Sequence, residues 1–129
     1  MNELRKETIK QILLGANLDF QCEVVSQSFM DNGWTLHPVY FNEKIVGGIV
    51  EKDGSIHTSI SPDYQKKWNP RPYIKSILYP ALDKYGILYS EALKSDHRAI
   101  KWLTKLGFIY LKDDSEKIFF QLKEVIYKF

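Results

Sequence analysis

The chain has 129 residues, of which 44% are hydrophobic and 26% are charged, as is typical of one globular domain. A single cysteine, Cys22, excludes an internal disulfide framework and a zinc site built from several cysteines. No apolar run reaches the roughly 18 residues of a membrane span, and MNELRKETIK lacks the apolar core of a signal peptide. We therefore expect one domain over residues 1–129, located in the cytoplasm and without a membrane partner.

The net charge of +2 is distributed unevenly along the chain. Residues 1–64 hold 5 Lys and Arg against 9 Asp and Glu, whereas residues 65–129 hold 13 against 7. The excess is concentrated in residues 65–105, where 9 basic residues accompany 3 acidic ones. A local excess of positive charge favours an anionic ligand or partner in that stretch.

The first half of the chain predicts helices followed by antiparallel strands. Residues 3–14 have helical spacing, and a second short helix is predicted from Phe20 to Phe29. The apolar stripe of the first helix consists of Leu4, Ile9, Ile12 and Leu13. Lys52-Asp53-Gly54 favours a tight hairpin turn, because Asp-Gly tolerates the positive φ angles that such turns need. The predicted strands are Trp34 to Phe41, Ile45 to Glu51 and Ser55 to Ser61.

The second half alternates between helices and strands. Helical spacing spans residues 74–85, with Pro80 inside it as an expected kink or break. Ser95 and Asp96 are candidate N-caps of a helix from His97 to Leu106. The remaining strands are predicted at Ile87 to Leu93, Phe108 to Leu111 and Lys117 to Leu122, with an edge strand at Glu124 to Phe129.

The order of these elements predicts the fold class. A strand at 55–61, a helix at 73–85 and a strand at 87–93 form a crossover, so the two strands should be parallel. The expected fold is mixed α/β, a twisted mixed sheet of about six or seven strands with helices on both faces.

The loop PDYQKKWNPRP, residues 62–72, is the first candidate site. It leads from a strand to a helix N-terminus, where backbone N–H groups are free to bind an anion. Lys66, Lys67 and Arg71 add positive charge, and Asn69 tolerates left-handed backbone nearly as well as glycine. This pattern favours a phosphate site, and a solvated basic loop explains it equally well.

The segment KSDHRAIKWLTKLGF, residues 94–108, has the pattern of a capped amphipathic helix with a glycine stop. It resembles a segment of the GNAT superfamily of acyl-CoA-dependent N-acetyltransferases. The residues that carry the resemblance are Asp96-x-x-Ala99 and Leu103-x-x-Leu106-Gly107-Phe108. From Ile56 to Phe108 the sequence is also similar in outline to short GNAT-like proteins of tailed phages. The resemblance implies a GNAT-like domain that uses acetyl-CoA as co-substrate and no metal.

The resemblance also implies which residues contact coenzyme A. They lie at the end of the preceding strand, in the loop up to the next helix, and at the N-cap of the helix from His97 to Leu106: Ser59, Ile60, Ser61, Lys66, Lys67, Trp68, Asn69, Arg71 and Asp96. The Trp68 ring would cover the adenine or the pantetheine. The sequence departs from the family pattern at four positions: Asn69 and Arg71 replace small residues, Asp96 replaces Asn, and Leu103 replaces a tyrosine that protonates the departing thiolate.

Two side chains are candidates for the catalytic base that deprotonates the acceptor amine. His57 lies on the strand before the loop, and the ordinary histidine pKa of about 6.5 suits neutral pH. Glu91 lies on the neighbouring strand, where the resemblance places the substrate groove. The structural alternatives are a hydrogen-bonded strand histidine and a carboxylate paired with a lysine. His37 and His97 are interpreted as surface residues.

The resemblance thus implies transfer of an acetyl group to a primary amine by direct attack. It leaves open the acceptor, a small molecule or a protein, and the oligomeric state, a homodimer included. The alternative is a catalytically degenerate GNAT-fold protein of a phage virion, or a host-interacting binding protein in the host cytoplasm. A nucleic-acid-binding module is the least favoured function, because no nucleic-acid motif accompanies the modest positive charge.

Overall fold

A computed structural model of the protein describes residues 3–15 and 32–127. Its helices and strands, in chain order, are α1 (Glu3–Gly15), β1 (Thr35–Phe41), β2 (Lys44–Lys52), β3 (Ser55–Ile60), α2 (residues 71–85), β4 (Leu88–Leu93), α3 (His97–Leu106), β5 (Ile109–Asp113) and β6 (Lys117–Leu122). The helix predicted from Phe20 to Phe29, with Cys22 in it, lies outside the described residues. None of the described helices is long and apolar enough to cross a membrane.

The six strands form one mixed sheet in the order β1-β2-β3-β4-β6-β5. β3 and β4 pair in parallel through Ser55 and Tyr89. The pairs β1–β2, β4–β6 and β5–β6 are antiparallel. The mixed α/β class and the parallel crossover through α2 are therefore confirmed.

Contacts divide the chain into two compact units. The first comprises Met1–Lys52 and His57–Asn69, and the second comprises Asp53–Ile56 and Pro70–Phe129. β3 contributes residues to both units. The expectation of one domain over residues 1–129 stays a prediction.

Two-residue turns join the first three strands. Asn42 and Glu43 have φ angles of 50° and 68°, and Asp53 and Gly54 have φ angles of 48° and 92°. Positive φ at both central residues is the turn geometry that matches the twist of paired strands. The predicted turn at Lys52-Asp53-Gly54 is thus confirmed.

In the first unit, α1 packs directly on the backbone of β2. A Cβ atom at Gly48 would lie 2.6 Å from Cδ1 of Ile12 and 2.9 Å from Cγ2 of Thr8. Leu4, predicted for the buried stripe, is 48% exposed, whereas Thr8 is buried. The prediction for Leu4 is wrong because the helix meets β2 one turn later, and the Thr8 hydroxyl is satisfied by donating to the Leu4 carbonyl at 2.8 Å.

In the second unit, α2 contains a wide turn immediately before Pro80. Its three parts are Arg71–Tyr73, the π-helical turn Ile74–Leu78, and Tyr79–Tyr85. The N–H of Tyr79 bonds to the carbonyl of Ile74, five residues back. A wide turn relieves the clash between a proline ring and the preceding turn of an α-helix. The expected break at Pro80 is therefore a bulge within a continuous helical segment.

The described part of the C-terminal tail packs on the end of α3. The N–H of Ile126 donates to the carbonyl of Leu106 at 2.9 Å. A Cβ atom at Gly107, where φ is 117°, would lie 2.6 Å from the carbonyl oxygen of Glu124. Residues 124–127 contain no strand. The predicted edge strand is therefore wrong over these residues, because the tail caps a helix carbonyl instead.

Candidate functional site

The end of β3 is held to its neighbours by side-chain and backbone bonds. Ser59 Oγ donates to the carbonyl of Ile12 in α1 at 2.7 Å. The N–H of Ser61 donates to the carbonyl of Val46 at 2.8 Å. The Ser59 hydroxyl and the Ser61 N–H, both on predicted cofactor-binding residues, thus already donate hydrogen bonds within the first unit.

β2 approaches the same segment closely at Gly47. A Cβ atom at Gly47 would lie 2.3 Å from the carbonyl oxygen of Ser59 and 2.8 Å from Cα of Ile60. Both neighbours are backbone atoms, which cannot move aside as a flexible side chain can. The position of the Ser59–Ile60 backbone therefore depends on the missing side chain at Gly47.

Gln65 folds back onto the end of β3. Its Nε2 donates to the carbonyl of Ile60 at 3.0 Å. Its Oε1 is buried and has no hydrogen-bond partner among the residues that the structure describes. Sequence reasoning missed Gln65, which stands directly before the lysines of the candidate loop.

Positive charge gathers around Tyr64, in the short 3-10 turn Pro62–Tyr64. Lys44 Nζ lies 3.3 Å from the Tyr64 hydroxyl and 5.3 Å from its ring centroid. Lys67 Nζ lies 5.8 Å from the same centroid, and the Phe41 ring lies 5.5 Å from the Tyr64 ring. This aromatic ring therefore orients two ammonium groups on the first unit.

The candidate loop offers charged side chains more readily than backbone amides. Three of its positions are prolines, which have no N–H: Pro62, Pro70 and Pro72. The N–H groups of Lys67 and Trp68 both donate to the carbonyl of Tyr64, at 3.0 and 3.2 Å. Lys66, Lys67 and Arg71 are exposed, and Trp68 is half-buried.

The backbone at Asn69 does not imitate a glycine. The described non-glycine residues with positive φ are Asn42, Glu43 and Asp53, and Asn69 is not among them. The tolerance of asparagine for left-handed backbone is therefore not used at Asn69. Pro70 has a φ of −75° and a ψ of −17°, which are right-handed helical values, so the chain enters α2 directly from it.

The two candidate bases lie in different units and have different surroundings. In the first unit, the centroid of the half-buried His57 ring lies 5.6 Å from that of Trp34. In the second unit, Lys117 Nζ lies 3.1 Å from Oε1 of Glu91. Glu91 is thus a carboxylate paired with a lysine, which is the structural role that the sequence offers as the alternative to a catalytic base.

A second histidine, His37, which is interpreted from the sequence as a surface residue, has a carboxylate partner. His37 Nε2 lies 2.7 Å from Oε1 of Glu51, and 31% and 27% of the two side chains are exposed. The pair joins β1 to β2 in the first unit. In the sequence, the turn at Asn42-Glu43 indicates that β1 and β2 pair. It does not indicate that the side chains of His37 and Glu51 meet.

Asp96 and Leu103, the two remaining positions from the resemblance, stabilise the helix cap and the core. Asp96 Oδ1 accepts the N–H of Ala99 at 3.1 Å, so it caps α3 as predicted. Leu103, where the resemblance implies a tyrosine, is 8% exposed and packs in the core.

Comparisons with known proteins support the fold. A scan of the sequence against protein-family models gave no match, and a search among curated proteins gave none either. The chain is similar to the Campylobacter jejuni N-acetyltransferase PseH in complex with acetyl coenzyme A, with a TM-score of 0.67 and 18% identity over 96% of this chain and 93% of that one.

Two further solved structures give the same result. An acetyltransferase from Thermus thermophilus has a TM-score of 0.70 and 16% identity over 92% of this chain and 87% of that one. A GNAT family acetyltransferase from Elizabethkingia anophelis with acetyl-CoA bound has a TM-score of 0.64 and 14% identity over 88% of each chain. The mixed sheet and helices of this protein have the fold of GNAT acetyltransferases.

Proposed function

We propose that the protein is an acetyl-CoA-dependent N-acetyltransferase that acts on a primary amine. The observation that carries the proposal is the likeness to PseH in complex with acetyl coenzyme A, which extends over nearly all of both chains. The Elizabethkingia structure also contains acetyl-CoA, and that of PaiA from Thermoplasma acidophilum contains coenzyme A. The acceptor amine is a small molecule or a protein side chain.

The chemistry requires a free amine and a polarised thioester. The amine nitrogen attacks the carbonyl carbon, the C–N bond forms, and the C–S bond breaks. The amine proton passes to a base, and the thiolate leaves and takes up a proton from water. Backbone N–H groups directed at the carbonyl oxygen would stabilise the charge that develops there. We prefer His57 as the base, since the carboxylate of Glu91 is already engaged by Lys117.

Phosphate binding would rely on side-chain charge. The backbone N–H groups of Lys67 and Trp68 already donate hydrogen bonds within the loop. The side chains of Lys66, Lys67 and Arg71, in contrast, are exposed to solvent. Exposed charges are screened by salt over a Debye length of about 8 Å at physiological ionic strength. We therefore expect the affinity for acetyl-CoA to fall as salt is added.

Calorimetric titration with acetyl-CoA tests the proposal. Removing a hydrogen bond to a charged group costs roughly 1.5–3 kcal/mol, so Arg71→Ala should weaken binding by about tenfold or more. Lys112→Ala is the matched control, because this lysine lies on β5 over the Phe119 ring. Release of free thiol with a panel of primary amines then measures turnover. Absence of binding to the parent protein would refute the proposal.

A catalytically degenerate GNAT-fold binding protein is the second candidate. Three observations favour it: the burial of Leu103, the engaged amides of the loop, and the Lys117–Glu91 pair. The likeness to phage proteins, with a virion or host-interacting role, belongs to this candidate. Binding of acetyl-CoA without turnover of any amine would support it, and turnover of one amine would exclude it.

A further inference from the structure

We propose that Gln65 is a ligand-binding residue whose side-chain oxygen accepts a hydrogen bond from an N–H group of the bound acyl-CoA. The inference rests on the proposed function, because it assigns a role in binding the same co-substrate. It concerns a residue outside the charged loop positions that the sequence indicates.

The orientation of the Gln65 amide is determined by its neighbour. The carbonyl of Ile60 can only accept a hydrogen bond, so the group that faces it at 3.0 Å must be the Nε2 donor. The amide cannot be flipped without placing two acceptors against each other. Oε1 is consequently turned away from Ile60, and no donor within the described part of the chain faces it.

The burial of this oxygen makes the missing donor significant. Oε1 of Gln65 is shielded from solvent and has no hydrogen-bond partner among residues 3–15 and 32–127. Buried side-chain acceptors in folded proteins are nearly always paired, because an unpaired one loses its hydrogen bonds to water without replacement. A donor that arrives with a ligand would supply the missing bond.

The surroundings of Gln65 suit a ligand that has both N–H and anionic groups. Tyr64 directly before it holds the ammonium groups of Lys44 and Lys67 within 6 Å of its ring, at 5.3 and 5.8 Å. Lys66 directly after it is exposed. Acetyl-CoA combines phosphates with N–H donors of two kinds, the amides of the pantetheine arm and the amino group of the adenine.

The test compares Gln65→Met with Gln11→Met in calorimetric titrations with acetyl-CoA. Gln11 is the matched control, because it is a buried glutamine of the same unit whose Nε2 donates to Glu7 at 2.8 Å. We expect Gln65→Met to weaken binding about tenfold, as the loss of one buried hydrogen bond would, and Gln11→Met to bind as the parent does. Equal affinity of Gln65→Met and the parent protein would overturn the inference.

Fragments of the co-substrate identify the donor. Pantetheine carries the amide N–H groups without the adenine, and adenosine 3′,5′-bisphosphate carries the adenine without the arm. The fragment whose affinity falls in Gln65→Met contains the donor, whereas a fall for neither overturns the inference. Failure of the proposed function has a different signature, since the parent protein itself would then fail to bind acetyl-CoA.

A measurement on the unaltered protein covers the case in which Gln65→Met does not fold. The side-chain amide resonances of Gln65 and Gln11 can be followed by nuclear magnetic resonance as acetyl-CoA is added. We expect the Gln65 resonances to shift while those of Gln11 stay in place. Unchanged Gln65 resonances at saturating acetyl-CoA would overturn the inference.

Discussion

The ammonium of Lys117 lies 3.1 Å from the carboxylate of Glu91, across the antiparallel pair of β4 and β6. The two residues are diagonal neighbours, since Glu91 stands opposite Phe119 and Lys117 stands opposite Leu93. The hydrogen bond with Glu91 raises the pKa of Lys117 above its ordinary value. One of the two proposed bases is therefore one half of an ion pair on the face of the sheet.

Replacing Glu91 should lower the pKa of Lys117. In Glu91→Gln the lysine loses the carboxylate that stabilises its charged form, so its pKa should return toward the ordinary value. The measurement is a titration of the lysine Nζ resonances, with Lys94 as an internal reference. An unchanged pKa of Lys117 would show that the pair does not form in solution.

The same pair predicts how stability depends on pH. A lysine whose pKa is raised by folding adds stability at pH values below its unfolded pKa, and this contribution is lost as the pH rises through the folded pKa. The parent protein should therefore unfold at higher denaturant than Glu91→Gln at neutral pH. The two midpoints should converge above the folded pKa of Lys117.

Asp114 should stabilise the turn between β5 and β6 at neutral pH and not in acid. Its Oδ1 accepts the N–H groups of Glu116 and Lys117 at 2.8 and 2.7 Å, and these bonds lower its pKa. A carboxylate of lowered pKa adds stability above its unfolded pKa of about 4, and this is lost as the pH falls further. Asp114→Ala should thus unfold more easily than the parent at pH 7, with the difference shrinking below about pH 4.

Denaturant unfolding at several pH values checks this expectation. Asp83→Ala, which removes an exposed carboxylate from α2, serves as the control for a change in net charge. A difference between Asp114→Ala and the parent that persists in strong acid would contradict the proposed origin of the stabilisation.

Local signals in the sequence were sufficient for most element ends. Asp96 caps α3 through Ala99 as predicted, and Gly86 and Gly107 end their helices with φ angles of 77° and 117°. Each signal depends on a few neighbouring residues, so it can be recognised without knowledge of the tertiary structure. The order of the elements then predicted the mixed sheet.

Bulges were not predictable, and they decide which side chains meet. The turn at Asn42-Glu43, extended regularly, would place His37 opposite Gly48. A register shift between Val39 and Tyr40 places His37 opposite Ile49 instead. Because a slip of one residue exchanges the two faces of a strand, His37 reaches Glu51 only after this shift.

A second bulge creates a cluster in the second unit. The register shifts between Tyr110 and Lys112, so Tyr110 and Asp113, three residues apart, lie on one face. The Tyr110 hydroxyl donates to Asp113, which also pairs with Lys94 at 2.7 Å. The bond with Lys94, followed by that with Tyr110, lowers the pKa of Asp113. Regular alternation along the strand would have separated the two residues.

The candidate site was predictable in its charge and not in its hydrogen bonds. Lys66, Lys67 and Arg71 are exposed, as a basic loop requires. The N–H of Ser61 donates to the carbonyl of Val46, and Oε1 of Gln65 is buried without a hydrogen-bond partner among the described residues. Both features depend on how β2 and the loop pack around the end of β3. Packing of that kind has no local signature in the sequence.

Gly47→Ala should destabilise the protein through overpacking. The added Cβ would lie 2.3 Å from the Ser59 carbonyl oxygen, and an extra methyl in a tightly packed site typically costs about 1–3 kcal/mol. Gly86→Ala is the control, since its Cβ would meet nothing within 4 Å although φ is 77°. That strain alone costs roughly 1–2 kcal/mol.

Denaturant unfolding gives the two free energies of unfolding. A second measurement, the affinity for acetyl-CoA, separates the two variants further. Gly47→Ala displaces the Ser59–Ile60 backbone, so its affinity should fall, whereas Gly86→Ala should bind as the parent does. Equal effects of the two substitutions on both quantities would contradict a specific role for Gly47.

Asp96 should stabilise the folded protein, because it is the N-cap of α3. Replacing an N-cap by alanine costs about 0.5–2 kcal/mol, because the N–H of Ala99 loses its acceptor. Asparagine caps as well as aspartate does, so Asp96→Asn should unfold close to the parent protein while Asp96→Ala unfolds earlier in urea. Since Oδ1 is already occupied by Ala99, we expect Asp96→Asn to keep the parent's affinity for acetyl-CoA. A loss of affinity in this variant, with its stability intact, would instead assign Asp96 a direct part in binding the co-substrate.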